Sequence, residues 1–156
     1  MSVEGEGTAA AGAAKKGALG LLGVIAKWLA PLIGLLIGLA GGKGVGGAWS
    51  IGHELDMAIS PPNGNPANHR WEDAVAGAIM FTIFGGLGAV MWHIPLDGHV
   101  ILMMVTRFIA GLFFGIGVML LILGLIGQPS PGLLDTFIQK ISSAVPPALG
   151  GGGATE

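Results

Sequence analysis

Three long apolar stretches separated by polar, turn-forming segments dominate the chain, and that pattern predicts an all-α integral membrane protein with three transmembrane helices. The first stretch runs from Gly17 to about Ala48, too long for one straight crossing. Two readings compete. In one, the span is Ala18 to Ala40, which leaves Lys27 near the centre of the bilayer. In the other, residues 17–27 form an interfacial segment and the span occupies residues 28–49. Geometry favours the second. Tryptophan prefers the headgroup level, and the interval from Trp28 to Trp49 makes roughly 31 Å of helix, close to the ~30 Å hydrocarbon thickness. The same interval separates Trp71 from Trp92 in the next apolar segment. The four tryptophans are therefore the expected interface anchors. Lys27 then sits at one interface, Lys43 snorkels toward the other, and Pro31 falls in the first turn of the span, where its missing N–H costs little.

The remaining elements follow in order. Residues 50–71 form a polar loop rich in proline and Asn-Gly turn chemistry (Pro61, Pro62, Asn63, Gly64, Asn65, Pro66, Asn68). The second span, 73–92, opens on Glu72 and Asp73, which suit a helix N-terminus, and carries no further charge. A short turn over residues 93–99 leads to the third span, 100–127, interrupted by Arg107 alone. These spans make up a membrane domain over residues 17–127. Residues 128–149 form a C-terminal amphipathic segment, with Leu134, Phe137, Ile138, Ile141 and Val145 on one face and Asp135, Gln139, Lys140 and Ser143 on another. Its expected place is the membrane surface or a groove on a partner. Residues 1–16 and 150–156 read as flexible tails. Lys15-Lys16 ahead of a long apolar stretch has the layout of a secretion signal, yet the segment is expected to remain as structure.

Composition sharpens the picture. Only 10% of the 156 residues are charged, where a soluble domain carries about a quarter, and the mean hydropathy is +0.76. Lipid is thus the expected solvent and lipid molecules the expected contacts. A net charge of −2 without any basic run points away from nucleic acid. The absence of cysteine excludes disulfides, thiolate metal sites and cysteine nucleophiles. Basic residues divide almost evenly between the two sides of a three-span topology, so the positive-inside rule does not orient the chain.

Glycine is the outlying residue, 30 of 156, and its spacing is the strongest pattern. Ala30, Gly34, Gly38, Gly42 and Gly46 recur every four residues along the first span. Gly85 and Ala89 share one face of the second span, Gly111 and Gly115 form a GxxxG in the third, and Ala110, Gly117 and Gly124 recur every seven. Small residues so spaced form flat faces on which another helix backbone rests, either within the chain or between subunits. Three helices can bury only part of such faces internally, which favours a homo-oligomer or packing with other membrane-protein subunits.

Arg107, with Lys27, is a candidate intramembrane charge or lipid-headgroup ligand. Either Arg107 lines an ion or substrate path, paired with Asp97 or Asp73, or it snorkels toward the 93–99 turn and a lipid phosphate; the second is preferred. His93 and His99 flank that turn and lie too near the interface for haem ligation between helices, while His53 and His69 fall on the opposite side. His53-Glu54 lacks the second histidine of a zinc-protease helix, the position being Met57. Gly42-x-Gly44-x-x-Gly47 matches a dinucleotide pattern but follows an apolar segment rather than a strand. No serine lies in a nucleophile context, and no carboxylate falls inside a span.

No cofactor, metal site or catalytic group is therefore expected. The expected function is a non-enzymatic structural or assembly subunit of a multi-subunit membrane complex or filament. In type it is comparable to secretion or conjugation pilins, to virion envelope proteins, and to accessory subunits in a prokaryotic cytoplasmic membrane. The alternatives are a small ion or solute channel or transporter, resting on Arg107, and a cofactor-binding anchor of an electron-transfer complex, resting on His93 and His99.

Overall fold

The computed structural model describes residues 4–59, 70–96 and 98–144, and the regular structure of the described residues is all helical, with no strand. The helices are α1 (Glu4–Val24), α2 (Ala30–Val45), α3 (Ala48–Ile59), α4 (Arg70–His93), α5 (Val100–Ile126) and α6 (Leu133–Ala144), with a π-helical turn at Ile25–Leu29 joining α1 to α2. Three stretches are long and apolar enough to cross a membrane: Lys15–Val45, Trp71–His93 and Val100–Ile126.

The second and third stretches lie close to their expected bounds, and the first differs at both ends. Helix begins at Glu4, inside the expected tail, because the segment is rich in alanine, the best helix former, and opens on Glu4 and Glu6, whose charges suit a helix N-terminus. Residues 17–27 run through the π turn into α2 as one continuous helix. The cause of the π turn is Pro31, which lies inside this helix rather than in its first turn. Proline cannot donate to the carbonyl four residues back, and its ring crowds that carbonyl. One wider turn absorbs the conflict, with the Ala30 N–H donating to the Ile25 carbonyl.

At its far end α2 stops at Val45, because Gly46 (φ 68°) and Gly47 (φ 98°) adopt left-handed backbone. Such a glycine pair ends a helix. Trp49 therefore lies in α3, and the 28–49 span is not one helix. The 50–71 segment is likewise not all loop, since α3 fills its first part. Its prolines and Asn-Gly pair, at 61–68, lie outside the described residues, as do the 150–156 tail and Val145 of the amphipathic face.

The chain forms two compact units, one from residues 1–42 and 81–119, the other from 43–80 and 120–156. In the first, α2 packs parallel to α5 through glycine. Ala30, Gly34, Gly38 and Gly42 are the buried residues of α2. A side chain at Gly34 would collide with the Phe108 carbonyl, one at Gly38 with the Leu112 carbonyl, and one at Gly42 would come within 2.6 Å of Met119 Cβ. The partners answer in kind: Gly111 faces the Pro31 carbonyl and Gly115 the Leu35 carbonyl. Close backbone approach of this sort also brings Cα–H groups to carbonyl oxygens, a weak bond that recurs in helix packing. Residues of α4 pack antiparallel to α5 in the same unit, where a side chain at Gly117 would come within 3.3 Å of Phe84 Cβ. Ring contacts of Phe81 with Phe114 (5.8 Å) and Phe84 with Phe113 (6.1 Å) fill the space beside it.

In the second unit the start of α4 packs on the end of α5. Gly124 faces the Asp73 carbonyl, a side chain at Gly77 would lie 2.9 Å from the Leu120 carbonyl, and Ala76, Met80 and Leu120 are buried. Helix α5 ends in a Schellman motif: the Gly127 N–H donates to Gly124 and the Gln128 N–H to Leu123, with Gly127 at φ 72° and Pro129 following.

Gly38→Ala and Gly115→Ala are each expected to destabilise the chain by about 1–3 kcal/mol, the usual cost of overpacking. Gly41→Ala and Gly86→Ala, where nothing lies within 4 Å, should instead stabilise it by roughly 0.5–1 kcal/mol through helix propensity. Reversible unfolding in mixed micelles, followed by circular dichroism, separates the pairs; the same effect at all four positions would discount the backbone packing.

Candidate functional site

One highly connected side chain is one that local patterning assigned to the polar face of an amphipathic helix. Asp135 is fully buried. It occupies the third position of α6, with Gly132 as the cap residue, and its Oδ2 accepts from the Gly132 N–H at 2.7 Å, half of a capping box. The same Oδ2 accepts from the Gly47 N–H at 2.8 Å, and Oδ1 accepts from the Ser50 N–H at 3.0 Å and the Ser50 hydroxyl at 2.7 Å. Gly47 is the residue before α3 and Ser50 its third residue, so one carboxylate caps two helices.

The chemistry of this arrangement is structural. A carboxylate has about four lone-pair positions, and here four donors occupy them. Two helix N-termini, each carrying partial positive charge, converge on the anion. Burial pushes the Asp135 pKa upward, but the hydrogen bonds from Gly47, Ser50 and Gly132 outweigh it and hold the carboxyl below its ordinary 3.8. The group is thus ionised at neutral pH and has no lone pair to lend to proton transfer. Gly46 is also fixed by this site, because a Cβ there would collide with Asp135 Oδ2 and come within 2.5 Å of the Gly132 nitrogen. The amphipathic assignment of α6 is reversed at this residue: Asp135 faces inward while Leu133, Phe137, Ile138 and Ile141 are exposed. A glycine followed three residues later by a side-chain acceptor, at Gly132-Asp135, was the available local signal.

Beside this clamp, His53, Asp56, Glu72 and Asp73 line a cleft with Trp49 and Pro129. Trp49 stacks on His53 at 5.4 Å. Trp71 and Glu72 lie in the first turn of α4, Trp71 half exposed and Glu72 buried. Among the described residues no three His, Asp or Glu side chains are grouped to hold a metal ion.

The other sequence candidates lie in the first unit. Arg107 donates through Nη1 to the Trp92 carbonyl in the last turn of α4 and stacks its guanidinium over the Trp92 ring at 4.1 Å. A cation there complements the negative end of the helix and gains a cation–π contact, which is the arrangement of a residue reaching toward the 93–99 turn. Asp97, one of the partners considered for it, lies outside the described residues. Lys27 is exposed within the π turn, its Nζ 5.7 Å from the Trp28 ring centroid. His93 Nδ1 lies 2.8 Å from the Ala89 carbonyl. Ala110, Gly111, Gly115 and Gly117 are buried in helix contacts, and Gly85 and Ala89 line an open apolar groove.

Comparison with protein families, with curated proteins and with solved structures finds no match to this chain.

Asp135→Ala removes two helix caps at about 1 kcal/mol each, so a loss of roughly 2 kcal/mol and faster amide hydrogen exchange at the starts of both α3 and α6 are expected. Because the folded pKa is depressed, the contribution of Asp135 is complete above the unfolded value and disappears as pH falls through the folded one. Melting temperature measured from pH 6 down to pH 2 should fall in the native chain and stay flatter in Asp135→Asn. Parallel curves would assign the acid sensitivity to other groups.

Proposed function

We propose that the chain is a structural subunit of a membrane assembly, inserted through its three long apolar stretches and performing no chemistry of its own. The surface supports insertion. Leu32, Leu36 and Ile37 of α2, Ile83, Leu87 and Val90 of α4, and Ile101, Leu102 and Leu125 of α5 are exposed. Apolar area on that scale is a liability in water and the ordinary outer surface of a helix in lipid.

Assembly rests on one observation, the condition of α1. Its Leu19, Leu21, Leu22 and Val24 are exposed, and Gly12, Gly17, Gly20 and Gly23 have nothing within 4 Å of where a side chain would stand. The Lys15–Val45 stretch is also longer than a crossing requires, about 46 Å of helix against a hydrocarbon core of ~30 Å. Exposed leucines interleaved with open glycines form a face on which a second helix can lie closely. Gly34, Gly38 and Gly42 of α2 and Gly111, Gly115, Gly117 and Gly124 of α5, by contrast, are engaged within the chain, so α1 is the surface we assign to a neighbouring subunit. The partners are further copies of this chain or other membrane subunits, in a prokaryotic membrane or an assembly derived from one, of the kind found in secretion filaments or virion envelopes.

The test is the native mass of the particle extracted in mild detergent, with co-purifying proteins identified. A multi-copy particle or a defined complex is expected. Gly20→Leu with Gly23→Leu should disperse it into folded single chains with an unchanged circular dichroism spectrum. A wild-type particle carrying one 15.7 kDa chain and nothing else would sink the proposal.

A further inference from the structure

We infer that the first unit holds a site for one anionic phospholipid, its acyl chain lying in the groove beside α5 and its phosphate held between Lys27 and Arg107. The groove has a volume of about 520 Å³, is open along one side and is almost wholly apolar. Gly88, Ala89 and Gly111 form its floor, Leu35 and Phe114 its walls, and Trp28 and Trp92 stand at one end. A cavity of this size falls within the ~300–1,000 Å³ range of small-ligand sites.

Register brings the polar groups together. Gly111 lies against the Pro31 carbonyl, and a side chain at Gly88 would sit 2.9 Å from the Ala110 carbonyl. Residues 31, 88 and 110–111 therefore share one level. One helical turn beyond it, about 5.4 Å, come Lys27 and Trp28 on the first helix, Trp92 on α4 and Arg107 on α5. All three helices thus deliver their charge or ring to the same end of the groove. Each tryptophan there carries a cation, Lys27 Nζ at 5.7 Å and Arg107 Cζ at 4.1 Å. The Trp92 carbonyl engages Nη1 of Arg107, and a guanidinium has five N–H donors, so donors remain for a phosphate oxygen. An apolar slot ending in a tryptophan pair and two cations matches a molecule with an apolar tail and an anionic head. That charge complementarity selects an anionic lipid over a neutral one.

The inference rests on insertion in a bilayer and is independent of assembly with other chains. Native mass spectrometry of the full chain in mild detergent reads both, because chain number and lipid adducts appear in one spectrum. The chain is offered equal amounts of phosphatidylglycerol and phosphatidylcholine with the same acyl groups. One phosphatidylglycerol per chain is expected, retained roughly tenfold or more over phosphatidylcholine. Lys27→Gln with Arg107→Gln should abolish the preference. Ala89→Trp, at an exposed position on the groove floor, should abolish retention of either lipid with an unchanged circular dichroism spectrum. Equal retention of the two lipids by the wild-type chain would overturn the inference, as would phosphatidylglycerol surviving in Ala89→Trp. A lipid-free dimer that Ala89→Trp splits into single chains would also overturn it, by placing a second copy in the groove.

Discussion

Apolar side chains gain little from leaving lipid for a protein interior, so helices in a bilayer need another reason to stay together. In the first unit that reason is backbone contact. Gly34, Gly38 and Gly42 on α2 meet Phe108, Leu112 and Met119, while Gly111 and Gly115 on α5 meet Pro31 and Leu35. Gly34, Gly38, Gly111 and Gly115 each make room for a carbonyl of the neighbouring helix, and Gly42 for the Met119 side chain; in lipid, dispersion over these short distances would replace the hydrophobic effect as the source of cohesion. The parallel course of α2 and α5, the antiparallel course of α4, and the groove between them all depend on that closeness. The exposed leucines and isoleucines are free to face outward because they are not required for the interior.

The second unit is held differently. Its glycines also admit neighbouring backbone, as at Gly77 and Gly124, but its fixed point is electrostatic. Asp135 joins two helix N-termini through four hydrogen bonds from Gly47, Ser50 and Gly132. A buried carboxylate is costly unless its lone pairs are satisfied, and satisfying them demands the Gly46-Gly47 elbow, whose left-handed backbone exposes the Gly47 N–H to it. The elbow and the acid therefore require each other.

The same contrast explains what could be read from the sequence. Helices α4 and α5 were legible because long uninterrupted apolar runs have few other interpretations, and the four-residue spacing of small residues on α2 marked its buried face. The first helix was misjudged where two rules pointed the wrong way. Tryptophan spacing suggested that Trp49 closes the span, whereas Gly46-Gly47 ends α2 sooner and hands Trp49 to α3. Pro31 suggested a helix start, whereas a π turn lets the helix continue through it. Asp135 was invisible to periodicity for a deeper reason. Its neighbours Gln139, Lys140 and Ser143 do face outward, and the donors that draw it inward lie 85 and 88 residues earlier in the chain. Pattern analysis over one or two turns has no access to such a pairing. The groove was equally hidden, since it exists through the register of three helices rather than through any one of them.

That sequence separation also sets an order of events during synthesis. The elbow and the first turn of α3 leave the ribosome with no acceptor for the Gly47 and Ser50 N–H groups. At about 5–20 residues per second, Asp135 follows roughly 4–17 s later, after α4 and α5 have been made. For that interval the α3 N-terminus must rely on water or another temporary acceptor. The second unit thus locks only after α4 and α5 have been made, and the aspartate that locks it marks the moment at which the nascent chain ceases to need that outside help.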